Sequence, residues 1–555
     1  MKKYIKLALP IFIGLLASCS AEENLQATDG SDSPENGKKM TFTANIDTDV
    51  TRTHFDTDQK TVWSESDKIW ICNPAAPTNK TNYRLQFDLT SGGNSKTGTF
   101  EATQNIAAST NPRTYPDCFY AVYPCNNDVS IARDGNSYTK AKVTATIPAE
   151  QAAEETLSTR YQYLTAYTTG SSLSFKNVVS FFKVTVKSSD DFKISRIKIV
   201  ANNTTKTTAN GTTEYYDYLN IAGTFTSSIS NSGADAGRVT IKNADISEGS
   251  SFVTTTITPS KDSHTYYLAV LPTTEGSSLN FTLLLESDFS TTTHGQKIYQ
   301  ATKQGLEFKP GKVYDLGTFD AANLSSKVLD NVVDLDLPSG TIWCNKDLGS
   351  DAVGFPGPYI MWGQIQNEQG AIVQMTDFTD ATYQTLANLK YTDSKNNTVK
   401  KYNGTGADNV GELGSEDDAV YKVNNRFAMP TFNQARELTR EGVNTWPIVD
   451  PTFDNCCRVQ NKAKNRYIVL SKMGTKGTPN PWTNRVSYWS KTRQKGNNRD
   501  AYWYDFVLTN STYNGRVAGS EGDPVDPRYY GRMVRGVVIN KNIAPVKTYA
   551  ELSGK

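Results

Sequence analysis

Histidine is almost missing from this 555-residue chain: there are three, and none follows His294. That excludes a Ser-His-Asp or Cys-His device built within the last part of the chain. A strong charge of either sign is missing too. The net charge is +1 with 21% charged residues, so no field argues for nucleic acid. The seven cysteines show no C-x-x-C spacing, and neither a P-loop nor H-E-x-x-H occurs. Cys118 and Cys125 lie in what reads as an extended stretch, roughly 23 Å apart at about 3.3 Å per residue, too far to bridge unless the chain turns back. Long Ala/Leu/Glu/Lys helical stretches are also lacking. What is plentiful is Thr, Ser, Tyr, Val and Ile, which makes the expected fold mainly β. The length allows about three to five domains. No cofactor, no metal and no enzymatic activity are expected.

The N-terminus carries an address. Lys2, Lys3 and Lys6 precede an apolar run over 7–16, too short to span a membrane as a stable helix. Leu16-Ala17-Ser18-Cys19 then resembles a lipobox, which implies a removable signal peptide at 1–18 and a lipid on Cys19. Such a chain would be anchored in the outer membrane through that lipid. Residues 19–37 read as a flexible tether, acidic and without a base. Glu22 and Glu23 resemble a surface-export signal; a plain solvated linker is the alternative.

Further on, Thr41–Ile46 alternates polar and apolar residues and reads as a strand. Val62-Trp63 and Ile69/Ile71 read as paired strands across the turn 64–67. Phe182, Val184 and Val186 alternate with Lys183, Thr185 and Lys187, giving one dry and one wet face. Together with Thr51-Arg52-Thr53, Val62-Trp63-Ser64-Glu65-Ser66-Asp67-Lys68-Ile69, the segment from Ile221 and the segment from Phe308, these pieces resemble the fimbrillin family of pilus subunits. The resemblance implies two tandem transthyretin-like β-sandwiches, at 38–188 and 189–318. It also implies export as a lipoprotein, cleavage between Arg52 and Thr53, loss of the first strand, and its replacement by a strand of another fimbrial subunit. An exposed loop arginine with no processing role is the alternative for Arg52.

After a polar linker at 319–327, residues 328–555 hold six of the eight tryptophans. Trp343, Trp362-Gly363, Met429-Pro430-Thr431, Tyr488-Trp489-Ser490 and Val534-Arg535 stand in an order that resembles a Fibrobacter-type major paralogous domain. That implies an α+β C-type-lectin-like fold. Gln364, Lys491 and Gly536 depart from its pattern. Thr431 and Gln434 predict a capping box opening a helix whose Phe432, Ala435 and Leu438 share a face, with Gly442 as a stop. Trp343, Trp362 and Trp489 are expected in the core. Residues 485–535 carry nine Lys/Arg against five acids among many aromatics. Tyr502, Trp503, Tyr513, Tyr529, Tyr530 and Arg532 are the candidate ligand-binding residues, suited to a glycan or a surface protein.

These expectations combine into a fimbrial subunit at the cell surface, at the tip of a pilus, with a C-terminal adhesive domain. The alternative is a stand-alone surface lipoprotein that binds a glycan or host protein without polymerising.

Overall fold

The computed structural model describes residues 40–46, 62–157, 159–202, 204–209, 213–273, 279–306, 308–350, 352–357, 362–363, 412–415, 417–440, 444–453, 456–472, 485–493, 501–509, 512–518 and 532–538. About half of these lie in β-strands. Seven strands close into a barrel in the order Thr41–Ile46, Ser172–Asn177, Leu164–Thr168, Phe119–Tyr123, Lys68–Cys72, Arg84–Ser91, Thr97–Glu101. The alternation read in the first strand is realised: Phe42, Ala44 and Ile46 point inward. They meet Trp63, Phe87, Phe100, Phe119 and Phe175 in one aromatic-rich core. Where two packed sheets are expected, this part of the chain thus joins its strands into one closed cylinder, which leaves no free edge.

The pairing of Val62-Trp63 with Ile69/Ile71 is corrected. Ile69 and Ile71 belong to Lys68–Cys72, which pairs with Arg84–Ser91 and Phe119–Tyr123. Trp63 instead bonds to residues 94–95 through its backbone: its N–H donates to Ser95 O at 2.8 Å, and its carbonyl accepts from Asn94 N–H at 2.6 Å. The turn itself is present. Asp67 N–H donates to Ser64 O at 2.9 Å, and Ser64 N–H donates back to Asp67 Oδ2 at 2.7 Å.

Strand pairing runs across position 188. Ser180–Lys187 is flanked by His264–Val270, antiparallel, and Val313–Asp320, parallel. Ala141–Ile147 pairs with Ala222–Ser228. Hence residues on both sides of 188 build the second body, around Phe182, Val184, Ile197, Ile199, Leu268 and Phe281.

The C-terminal region continues a sheet of that second body. One nine-stranded sheet runs Phe427–Ala428, Arg535–Val538, Ile342–Asp347, Leu329–Asp334, Gln296–Leu306, Leu279–Glu286, Arg196–Ala201, Phe252–Thr256, Glu150–Gln151. The stretch read as a linker at 319–327 holds the end of a strand, a helical turn Ala321–Leu324 N-capped by Asp320, and a 3-10 turn Ser325–Lys327; Ala321 and Leu324 are buried. Where the two regions meet, six charges interlock. Arg196 reaches Glu286 at 2.9 Å and Asp336 at 2.7 Å. Lys198, fully buried, reaches Asp334 at 2.7 Å and Asp336 at 3.1 Å. Arg466 bonds Glu286 at 3.0 Å and also Asp336. Burial would raise Asp336, but Lys198, Arg466 and Arg196 hold its carboxyl well below the usual range. Burial, opposed by Arg196, pushes Glu286 up to about 7.

Trp343, Trp362 and Trp489 are buried, as read. The helix forms at Phe432–Leu438, and Thr431 and Gln434 close the capping box in both directions. It stops at Thr439, before Gly442.

Candidate functional site: the first strand and its slot

The first strand lies between two neighbours. It runs parallel to Ser172–Asn177, with Thr43 opposite Ser172 and Ile46 opposite Phe175. It runs antiparallel to Thr97–Glu101, with Ala44 opposite Gly98. Beneath it the slot is shaped residue by residue. The Phe42 ring meets Phe87 at 5.3 Å and Phe119 at 5.1 Å, both edge-on. Trp63 lies under the middle of the strand, and its indole N–H donates to Ala44 O at 3.2 Å. A Cβ on Gly98 would sit 2.5 Å from Leu89 and 2.9 Å from Trp63, so the space around Ala44 is filled by those two side chains. Burying a Phe or Ile side chain contributes about 1.5–3 kcal/mol, so Phe42 and Ile46 hold the strand more than Ala44 does.

The motif 62–69 supports this slot. Trp63 forms the floor, and Ile69 packs in the same core. Asp67 locks the turn between them, also accepting from Tyr123 OH at 3.0 Å. Burial, with Asp67 beside it, raises the Tyr123 hydroxyl pKa. Phe87, Gly98, Phe119 and Tyr123 complete the site. Sequence reasoning missed them because they come from three other strands with no local spacing to mark them.

Cys19, Glu22, Glu23, Arg52 and Thr53 lie outside the described residues, as do Tyr529 and Tyr530. The other candidate ligand-binding residues are placed, and three of them are corrected. Trp503 and Tyr513 are buried, and so is Arg532. Arg532 lies 4.0 Å from the Trp503 ring and 5.2 Å from the Trp489 ring, and bonds Ser487. Buried cation–π contacts of this kind bind core together. Tyr502 is half-buried with its ring 4.4 Å from Phe432. These four residues do not form an exposed binding face.

Residues 51–318 match the Fimbrillin-like family. The match spans just under half of the chain. The match begins just after the first strand and ends as the second body closes. No curated protein matches the chain. Among solved structures, it is similar to a candidate cell adhesion protein from Bacteroides ovatus at 13% identity, covering 53% of this chain and 95% of that one, with a TM-score of 0.29. It is also similar to a fimbrial protein from Bacteroides ovatus, at 12% identity, 90% and 99% coverage, and a TM-score of 0.22. The fimbrial anchor protein Mfa2 from Porphyromonas gingivalis is similar over 44% of this chain and 76% of its own, at 8% identity and a TM-score of 0.21. Scores this low carry no argument of their own. The fimbrillin-like region does, and it supports a fimbrial or adhesive role.

Proposed function

We propose that this chain is a fimbrial subunit whose barrel gives up its first strand and accepts a strand from another subunit in its place. The observation that carries this reading is the slot. A single strand with Phe42, Ala44 and Ile46 inward separates two neighbours that do not pair with each other. Losing it leaves two rows of backbone donors and acceptors beside an aromatic cavity, which an incoming strand repairs. Arg52 and Thr53 follow that strand in sequence and precede Trp63, so a cut there frees the strand and leaves the slot floor in place. The lipid on Cys19 anchors the uncut chain to the outer membrane, and Glu22 and Glu23 direct it to the surface.

We place the subunit at the pilus tip, with residues 328–555 as a C-type-lectin-like adhesive module binding a glycan or surface protein. Strand Leu329–Asp334 covers the edge of Gln296–Leu306, so the second body cannot pass its sheet to another subunit along that edge. Accepting a strand at the first barrel remains open. The test is N-terminal sequencing of the protein recovered from sheared surface fibres. A start at Thr53, abolished by Arg52→Ala, is expected. A lipid-blocked start at Cys19 on all fibre-associated protein refutes the exchange.

A further inference from the structure

With Trp503, Tyr513 and Arg532 in the core, the exposed aromatic area among the described residues of the C-terminal region lies elsewhere. Among the described residues, five large hydrophobic side chains are exposed: Tyr138, Phe355, Val423, Trp446 and Ile448. Only Trp446 and Ile448 share a strand. They are 36% and 39% exposed and alternate with buried Thr445 and Pro447 along Thr445–Val449. That strand is the edge of a three-stranded sheet with Cys457–Asn461 and Tyr467–Leu470. Across the ladder Gln460 stands opposite Trp446, and Arg458 opposite Ile448.

Lysines stand beside this face. The ammonium of Lys464 lies 4.6 Å from the centre of the Trp446 ring. Lys462 and Asn465 are exposed on the same hairpin. The described acid nearby, Asp450, is buried and tied to Arg458 at 2.7 Å. An anion arriving over Trp446 therefore meets Lys464, with Lys462 exposed on the same hairpin.

Two arguments select the occupant. Pro447 has no N–H to donate, and proline on an edge strand blunts it against added strands. The face is therefore read through side chains and not through its backbone. Its area is small: Trp446 and Ile448 together expose on the order of 150 Å², against about 800 Å² per partner in a stable protein interface. One or two sugar rings fit that size. A pyranose stacks its apolar face on an indole, while Gln460 and Asn465 suit hydroxyl groups and the lysines suit a carboxylate or sulfate.

We propose that Trp446, Ile448, Gln460, Lys462 and Lys464 form a binding platform for an anionic saccharide. This names the ligand class and relocates the site within the adhesive module, and it rests on that half of the proposed function alone. The test is calorimetric titration of the full mature chain with tetragalacturonate and, separately, with uncharged galactotetraose. Tetragalacturonate is expected to bind at least tenfold more tightly, with an affinity that falls as salt rises. Trp446→Ala and Lys464→Glu should each weaken it tenfold or more while leaving the thermal melt unchanged. Equal binding by Trp446→Ala overturns the platform, and so does absence of binding at millimolar concentration. Equal affinity for the two sugars overturns the anionic assignment. An acidic peptide that binds better than either sugar assigns the face to a protein partner instead. None of these outcomes bears on fibre assembly, which the Thr53 start reports independently.

Discussion

Replacing Lys198 by methionine tests whether the six-charge cluster holds the C-terminal region to the second body. Methionine keeps the length of the side chain and removes the ammonium. Asp334 then loses contacts of 2.7 and 3.0 Å and keeps Arg196 at 3.7 Å and the Asp336 N–H at 2.8 Å, while Asp336 loses one of 3.1 Å. Asp334 stays fully buried. Removing one partner of a buried pair costs about 3–5 kcal/mol, because the other charge is left uncompensated. At about 1.4 kcal/mol per tenfold, that lowers the folded-to-unfolded ratio by roughly two to four decades. The assay is urea unfolding of the mature chain at pH 7, followed by near-UV and far-UV circular dichroism. Because one sheet crosses the junction, the transitions of the second body and the C-terminal region should move together. The double variant Lys198→Met, Asp334→Leu should recover most of the loss, since replacing both members of a buried pair is often near neutral. A loss under about 1 kcal/mol in the single variant, or no recovery in the double, refutes the reasoning.

Three further outcomes are expected. Burial pushes Glu437 up to about 7 despite hydrogen bonds from Ser339 and Tyr218. Between its ordinary range and pH 7 the native state then holds more protons on this group than the unfolded chain, so its contribution is present below about 4.3 and lost as pH rises through 7. Glu437→Gln should flatten that part of a stability profile recorded from pH 4 to 8; an unchanged slope contradicts it. Ala44→Leu forces three extra carbons, a methine and two methyls, towards Trp63 and should cost about 1–3 kcal/mol in thermal unfolding. A synthetic 40–46 peptide carrying the same change should fail to refill a chain cut after Arg52, where the unaltered peptide succeeds. Thr431→Ala removes the side-chain acceptor for Gln434 N–H and should lower stability by about 1 kcal/mol in chemical denaturation.

Local signals were legible and partners were not. Alternation marks which side of Thr41–Ile46 is dry because side chains on a strand repeat every two residues. Nothing in it says that Gly98 stands opposite Ala44. The Thr431–Gln434 box is readable because both halves lie three residues apart. Arg196 and Asp336, in contact across 140 positions, leave no spacing to detect. Composition misled at Tyr513. Its neighbourhood is rich in turn formers, yet Thr512 already pairs with Thr509, so Tyr513 lies within the return strand opposite Leu508 and faces inward. Arginine among aromatics misled in the same way. Arg532 lies against two indole rings and bonds a serine instead of facing solvent.

The continuous sheet has a mechanical consequence. A tug applied to residues 328–555 cannot be absorbed by a swivel at 319–327, because Leu329–Asp334 is laced sideways onto Gln296–Leu306. The pull is delivered as tension into the ladder that leads through Leu279–Glu286 to Arg196–Ala201. The angle at which residues 328–555 are held is therefore set when the chain folds.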